Sequence, residues 1–193
     1  ATDIVQHRGS SVNPKRQEGP HAHSVILDPS NRYAYVADLG IDKIMIYKFD
    51  SEQGKLIPND QPWVSTHPGA GPRHFTIHPN RRFAYVINEL DSTITAFSFN
   101  SETGGLKPIQ TISTLPEGYE GTNYPADIHV SPSGRFLYGS NRGHNSIAVY
   151  KIDEETGRLS MIRHESTRGR IPRNFAIDPN GRFLFVANRE SNN

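Results

Sequence analysis

The stretch GPRHFTIHPNRRFAYVINELDSTITAF, residues 71–97, carries apolar residues that alternate along two short segments. Phe83, Tyr85 and Ile87 share one face of the first segment, and Ile94 and Ala96 share one face of the next. A period of two is typical of β-strands, and the β-branched and aromatic residues support this interpretation. The intervening segments favour tight turns, because Pro and Asn preset turn dihedrals. The stretch therefore predicts antiparallel strands joined by short turns.

The part of this stretch that begins at His78 has three related copies, which begin at Asp28, Ser131 and Asp178. Equivalent prolines are separated by 50, 53 and 47 residues, namely Pro29, Pro79, Pro132 and Pro179. A period near 50 residues is typical of propeller blades. In the second copy we expect strands near residues 73–77, 83–88, 93–99 and 107–113, with strand one innermost.

Repeated four-stranded antiparallel units predict an all-β fold, a β-propeller. We expect repeats at about residues 17–70, 71–123, 124–170 and 171–193, the last incomplete. A β-sandwich with accidental internal similarity is the alternative, and the extent of the repetition argues against it. The chain is expected to cover about four blades and to begin partway through the outer strands of a blade.

The composition excludes several function classes. Lys and Arg number 21 against 20 Asp and Glu, so the net charge of +1 predicts neither a nucleic-acid nor a membrane partner. No apolar run is long enough for a membrane span. The absence of cysteine removes disulfides, thiolate catalysis and cysteine-based zinc sites. This cysteine usage is consistent with a cytoplasmic protein.

Strand direction predicts where a site would lie. In antiparallel neighbours, the start of strand one and the end of strand two share one edge, so these positions should converge on one mouth of the channel. The starts of strand one carry His23, Arg73, Ala126 and Arg173. The ends of strand two carry Asp38–Leu39, Asn88–Glu89, Asn141–Arg142 and Asn188–Arg189. The turns at the opposite rim carry Arg32, Arg82, Arg135 and Arg182, which we expect in solvent.

The predicted mouth is rich in groups that bind anions. Guanidinium groups recognise phosphate and carboxylate through paired charged hydrogen bonds, and a carboxylate among them can act as a base toward water. Arg73, Glu89 and Arg142 differ between copies while the surrounding scaffold does not, which favours a functional role. The asparagines have an alternative structural role, because Asn side chains often cap turns; they are Asn88, Asn141 and Asn188.

Other motifs carry less weight. His21 with His23, and His74 with His78, have spacings that could bind zinc, but no carboxylate or thiolate partner is in register. Calcium would need more carboxylates than the candidates Glu89, Asp38 and Asp127. Serine-hydrolase and phosphate-loop motifs are absent from the sequence. We therefore predict no metal and no cofactor. We interpret residues 117–121, EGYEG, as a lid over the mouth.

The sequence also resembles a known family. GPRHFTIHPNRRFAYVINELDSTITAF, PADIHVSPSGRFLYGSNRGHNSIAVY and PRNFAIDPNGRFLFVANRES closely resemble the seven-bladed lactonases, which include the propeller-type 6-phosphogluconolactonases and the carboxy-muconate cyclases. The resemblance implies seven blades, about 350 residues at this repeat length. The chain is then expected to be part of a larger propeller, whose remaining blades or neighbouring chains cover its open ends.

The resemblance also implies a site. The His, Arg, Glu and second Arg of the muconate-cyclizing relatives match His23, Arg73, Glu89 and Arg142. Two alternatives stay open at this point, His21 in place of His23 and Arg173 in place of Arg142. Further substrate-binding residues expected at the wall are Asn88, His129, Asn141 and His144.

Our leading hypothesis is a lactone hydrolase of the pentose phosphate pathway, acting on 6-phosphogluconolactone, a small anionic lactone. Either Glu89 or His23 would serve as the base. The alternatives are a non-catalytic propeller that binds a partner, or a muconate-type lactonizing enzyme. Unequal residues at equivalent rim positions favour an enzyme, since a scaffold would be expected to repeat one rim pattern.

Overall fold

The computed structural model of the chain describes residues 2–192. Strands dominate this part, and its one helical element is the short 3₁₀ turn Leu39–Ile41. The prediction of an all-β fold is confirmed. No helix within residues 2–192 combines the length and the apolar character needed to cross a bilayer.

The strands form three four-stranded antiparallel sheets and one two-stranded sheet. The first sheet contains β1 (Ala22–Leu27), β2 (Tyr33–Asp38), β3 (Lys43–Asp50) and β4 (Lys55–Ser65). The second contains β5 (Pro72–Ile77), β6 (Phe83–Asn88), β7 (Thr93–Phe99) and β8 (Leu106–Ser113). The third contains β9 (Tyr124–Val130), β10 (Phe136–Arg142), β11 (Ser146–Ile152) and β12 (Leu159–Ser166). The last pairs β13 (Pro172–Ile177) with β14 (Leu184–Asn188).

The first strands of successive sheets lie against one another, in the order β1, β5, β9 and β13. Each sheet then runs outward, so the sheets are blades arranged around an axis and strand one is innermost, as predicted. In the described part of the chain, β1–β4 and β13–β14 share no strand pairing, so these residues do not close a four-bladed ring.

Apolar cores fill the spaces between blades. The core between the first two blades includes Tyr35, Ile46, Phe75 and Phe97, all buried. The tyrosine hydroxyls are satisfied across the blade boundary, as buried polar groups require. Tyr35 Oη donates to the Gly104 carbonyl at 2.8 Å, and Tyr85 Oη donates to the Gly157 carbonyl at 3.1 Å. Tyr138 and Phe185 occupy the same register position in the third and fourth blades as Tyr35 and Tyr85 do in the first two.

The hairpin between strands three and four docks against the preceding blade. Gly104 and Gly157 have φ values of 70° and 69°, in the left-handed region that favours glycine. A Cβ at Gly104 would lie 2.5 Å from the Tyr33 ring, and one at Gly157 would lie 2.3 Å from the Phe83 ring. Glycine is therefore required both by the turn and by the contact between blades.

The expectation that the chain begins in outer strands is wrong for the part described. Residues 2–16 pair with no strand and are held mainly by side-chain hydrogen bonds. The Asp3 carboxylate accepts from the Leu56 amide, His7 Nδ1 lies 2.6 Å from Asp38 Oδ2, and Ser11 donates to Asp42. Because these contacts depend on individual side chains rather than on a strand pattern, periodicity could not predict them. We call residues 2–16 the N-terminal segment.

The turns after strand one lie at the far rim. The arginines there are exposed, as predicted, namely Arg32, Arg82, Arg135 and Arg182. Two of them reach the next blade, because Arg32 Nη2 donates to the Ser101 carbonyl and Arg82 Nη2 donates to the Glu155 carbonyl. These contacts are structural and lie away from the opposite mouth.

Candidate active site

Irregularities at the starts of the innermost strands set the direction of the predicted site residues. The register between β5 and β6 shifts between Pro72 and His74, so Arg73 occupies a bulge. The same shift places His23 in β1 and Arg173 in β13 at bulges. A bulge re-aims a side chain and disrupts the ladder locally. Three blades thus turn a basic residue toward the same mouth.

Glu89, just after β6, is the centre of a charged cluster. Its Oε2 accepts from Arg73 Nε at 2.8 Å and from Arg142 Nη2 at 2.6 Å, while its Oε1 accepts from Arg16 Nη2 at 2.5 Å. The exposed fractions of the Arg73, Glu89 and Arg142 side chains are 2%, 7% and 11%. We call these four residues the arginine–glutamate cluster. Three cations and one carboxylate leave it with an excess of two positive charges.

Sequence reasoning did not find Arg16. It comes from the N-terminal segment, which has no counterpart in the repeats, so comparing the copies gave no signal for it. Its neighbour Gln17 is fully buried and donates to the Leu39 carbonyl at 2.9 Å, which anchors the end of the segment. The Arg16 guanidinium lies 5.8 Å from the centre of the Tyr124 ring. Arg16 is therefore held against Glu89 while its side chain stays partly exposed.

The electrostatics assign different states to the charged groups. Burial alone raises the pKa of Glu89, but the hydrogen bond from Arg16 and the charges of Arg142 and Arg73 outweigh this effect and hold the pKa below its usual 4.5. Burial and the charge of Arg142 lower the pKa of Arg73 to about 10, so it stays cationic at neutral pH. Glu89 is therefore an ionised, weakly basic group that holds the arginines in position.

His23 has the opposite character. Burial and the nearby charge of Arg73 lower its pKa to about 4, so its ring is neutral at neutral pH. The ring centre lies 5.4 Å from that of His74, with the two planes tilted by 58°. A neutral imidazole can accept a hydrogen bond from a water or a hydroxyl group.

A groove of about 780 Å³ opens at this mouth between the first and last blades. His23, Arg73 and His74 form one wall, and Arg173, Asn174 and Arg189 form another. The groove is within the size range of small-molecule sites, and its walls carry an excess of cationic groups. The arrangement suits a small anion.

Of the two asparagines expected to bind substrate, neither reaches the groove. Asn88 is fully buried and donates to the hydroxyl groups of Thr93 and Thr95. Asn141 is also fully buried and donates to the Thr114 carbonyl at 2.7 Å. Both amides therefore have structural partners, but neither side chain caps the backbone of its own turn, because Asn88 bonds to hydroxyl groups of the next strand and Asn141 bonds to a carbonyl 27 residues away.

Three histidines expected near the substrate lie elsewhere. His21 is exposed at the surface, with its ring 3.2 Å from Glu18 Oε1. His144 packs edge-on against Tyr119 and accepts or donates a hydrogen bond at Ser146. His129 lies farther along the channel wall, where it contacts Asp127. Of the two open alternatives for the first histidine, only His23 lines the groove.

Arg142 and Arg173, the alternatives for the second arginine, occupy different places. Arg142 contacts Glu89 and also donates from Nε to the Tyr124 carbonyl at 2.9 Å. Arg173 is exposed and lines the groove. The segment of residues 117–121 precedes β9 near this end of the blade, and its Tyr119 packs on His144 rather than on the cluster.

The histidine pairs do not form a metal centre in this arrangement. Both ring nitrogens of His78 are engaged, Nε2 with the Gly134 carbonyl and Nδ1 with the Asn80 amide. Within residues 2–192, no group of three or more His, Asp or Glu side chains is placed to hold a metal ion.

Comparison with known proteins identifies relatives. The chain is 39% identical over 169 residues to a 6-phosphogluconolactonase of Bacillus subtilis, which covers 88% of the chain and 47% of the relative. It is 37% identical over 173 residues to a 6-phosphogluconolactonase of Serratia proteamaculans, covering 89% of the chain and 52% of the relative. The chain thus spans about half the length of these relatives.

A solved structure agrees with these relatives. The periplasmic gluconolactonase of Pseudomonas aeruginosa superposes with a TM-score of 0.91 at 36% identity, over 98% of the chain and 53% of that protein. The family model described as "Lactonase, 7-bladed beta-propeller" matches residues 1–193. By sequence, fold and blade architecture, the chain belongs to the seven-bladed β-propeller lactonase family.

Proposed function

We propose that the protein carrying this chain hydrolyses 6-phosphogluconolactone to 6-phosphogluconate. The observation that carries the proposal is the arginine–glutamate cluster, which has an excess of two positive charges and whose Arg73 lines the groove. Membership of the lactonase family and the relatives named 6-phosphogluconolactonase support the reaction class.

The cluster and the groove supply what lactone hydrolysis needs. Arg73 and Arg142 bind phosphate or the developing oxyanion, and Glu89 keeps both guanidinium groups oriented. A water molecule attacks the lactone carbonyl carbon, the carbonyl oxygen becomes an oxyanion, and the ring C–O bond then breaks as the leaving oxygen gains a proton. His23 is neutral and accepts a hydrogen bond that orients the reactants. Preorganised charges of this kind contribute most where negative charge develops.

We also propose a role in the pentose phosphate pathway, in which 6-phosphogluconolactone is formed, and a cytoplasmic location. The absence of cysteine is compatible with this location.

The test compares the rates of the complete gene product on 6-phosphogluconolactone and on an unphosphorylated lactone. We expect a preference for the phosphorylated lactone, and we expect Arg73→Ala to lower turnover on it by about tenfold or more. Arg73→Lys keeps the charge without the planar fork and should recover only part of the rate. Equal rates on both lactones would argue against phosphate binding by the arginines.

Arg135→Ala is the matched control, because Arg135 lies exposed at the far rim. We expect its turnover to equal that of the unmodified protein. Comparable losses from Arg73→Ala and Arg135→Ala, with both variants folded, would show that the site lies at the other rim.

A further inference from the structure

Asp127, on the innermost strand β9, is a buried carboxylate that the proposed reaction does not use. Its side chain is 3% exposed and makes five hydrogen bonds. Oδ1 accepts from the Ile128 amide and faces His74 Nδ1 at 2.7 Å. Oδ2 accepts from Asn174 Nδ2 and the Phe175 amide and faces His129 Nε2 at 3.1 Å. The carboxylate therefore connects three successive blades at the channel wall.

Asp127 is ionised in this environment. Burial by itself raises its pKa, but the hydrogen bonds from His129 and His74 outweigh burial and hold the pKa well below the usual 3.8. An ionised carboxylate only accepts hydrogen bonds, so the 2.7 Å contact requires that His74 Nδ1 carries the proton. In the neutral imidazole, Nε2 then carries the lone pair.

His74 stands between this carboxylate and the groove. It follows Arg73 directly, lines the groove with His23 and Arg173, and is partly exposed. No residue in the described part of the chain hydrogen-bonds its Nε2. A buried carboxylate on Nδ1 and an open Nε2 beside oxyanion-binding groups is the arrangement in which an imidazole acts as a general base.

We propose that His74 is the general base of the lactonase reaction and that Asp127 is its positioning residue, an inference that rests on the proposed function. His74 Nε2 takes a proton from water as the water oxygen bonds to the lactone carbonyl carbon. Asp127 stabilises the imidazolium that forms. When the intermediate collapses and the ring C–O bond breaks, His74 returns the proton to the leaving oxygen. The net reaction consumes one water and needs no other reactant.

His74 suits this role better than the two candidates found from the sequence. Glu89 is engaged by three arginines, so accepting a proton would cost those contacts. His23 has no carboxylate on either ring nitrogen and lies near the charge of Arg73, which opposes formation of an imidazolium. His74 alone among them combines an open nitrogen with a buried counter-charge.

A purely structural reading also exists, because equivalent positions on other blades connect neighbouring inner strands. Ser24, at the position of His74 in the first blade, donates to the Arg73 carbonyl at 2.7 Å. Ser24→Ala therefore removes a comparable contact between blades without touching the imidazole–carboxylate pair, and it serves as the matched control.

The experiment measures kcat and KM of the complete gene product on 6-phosphogluconolactone for His74→Gln, Asp127→Asn, His23→Gln and Ser24→Ala. We expect His74→Gln and Asp127→Asn each to lower kcat by about a hundredfold or more, with little change in KM. His23→Gln should cost less than His74→Gln, and Ser24→Ala should retain its kcat. Circular dichroism checks the fold, and the partly exposed His74 offers a variant that remains informative if Asp127→Asn does not fold.

The pH profile supplies a readout that a structural role would not move. The charged and titratable groups that face His74 or its carboxylate are Asp127, His129, His23, Arg73 and Arg173. In Asp127→Asn, the acid limb of the profile of kcat against pH should shift to lower pH, because the imidazolium loses its counter-charge. An unshifted limb in a folded Asp127→Asn protein would overturn the role of Asp127.

The outcomes separate the two proposals. If the unmodified protein hydrolyses no lactone, the proposed function and the general base are both overturned. If it is active and His74→Gln keeps at least about a third of kcat, or loses less than His23→Gln, the general base is wrong while the lactonase function stands.

Discussion

Replacing Glu89 by Gln tests the charge balance of the site, because the change keeps the shape and removes the carboxylate. In the native protein Glu89 Oε2 accepts from Arg73 and Arg142, and Oε1 accepts from Arg16. Glutamine offers one carbonyl oxygen, so its amide NH₂ must face at least one guanidinium donor. Arg73, which is 2% exposed, is then buried without its counter-charge.

The expected cost is about 3 kcal/mol in the free energy of unfolding at neutral pH, since removing one partner of a buried ion pair usually costs about 3–5 kcal/mol and the amide retains part of the hydrogen bonding. The dependence on pH has a definite sign. Glu89 has a lowered pKa in the folded state, so its stabilising contribution is present above the ordinary value of 4.5 and is lost as the pH falls through the folded-state pKa.

Urea unfolding of the unmodified and Glu89→Gln proteins, at neutral and at acid pH, measures this difference. The gap between the two should be largest at neutral pH and should narrow in acid. Glu190→Gln is the control, because the ion pair of Glu190 with Arg189 is exposed and should contribute less than about 1 kcal/mol. A Glu89→Gln protein as stable as the unmodified one at neutral pH would refute the argument that the carboxylate holds the three arginines.

The remaining predictions concern substrate binding and the contacts between blades. Arg16 is the most exposed guanidinium of the arginine–glutamate cluster, so we expect it to bind the substrate phosphate. Arg16→Gln should then raise KM for 6-phosphogluconolactone about tenfold, because a charged hydrogen bond contributes about 1.5 kcal/mol, and leave KM for an unphosphorylated lactone unaffected; steady-state kinetics on both substrates measures this. Gly157→Ala should destabilise the protein by about 2 kcal/mol in urea unfolding, since it places an alanine in the left-handed backbone region and its Cβ clashes with Phe83. Gly19→Ala is the control and should change stability little, because a Cβ at Gly19 would meet no atom within 4 Å. Tyr85→Phe should cost about 1 kcal/mol by leaving the Gly157 carbonyl unpaired, and Tyr35→Phe should cost a similar amount at Gly104. A Tyr85→Phe protein with native stability in the same unfolding assay would contradict this account of the blade contact.

Much of the fold was predictable because the information is local and repeated. Alternation over 83–88 and 93–99 predicts strands whose observed bounds are Phe83–Asn88 and Thr93–Phe99. The direction of antiparallel strands predicts that Arg73 and Glu89 share one edge, and they form an ion pair there. The exception is the N-terminal segment, whose hydrogen bonds to Asp38 and Asp42 leave no periodic pattern in the sequence.

The sequence by itself determined the blade, its number of strands and the edge at which basic residues gather, because side-chain periodicity and strand direction are properties of consecutive residues. Only the tertiary structure decided which groups meet. Arg16 reaches Glu89 from 73 residues away, and Asp127 reaches His74 from 53 residues away. Such pairs depend on bulges and on the packing of neighbouring blades, which bring distant side chains within hydrogen-bond distance without any local sequence signal.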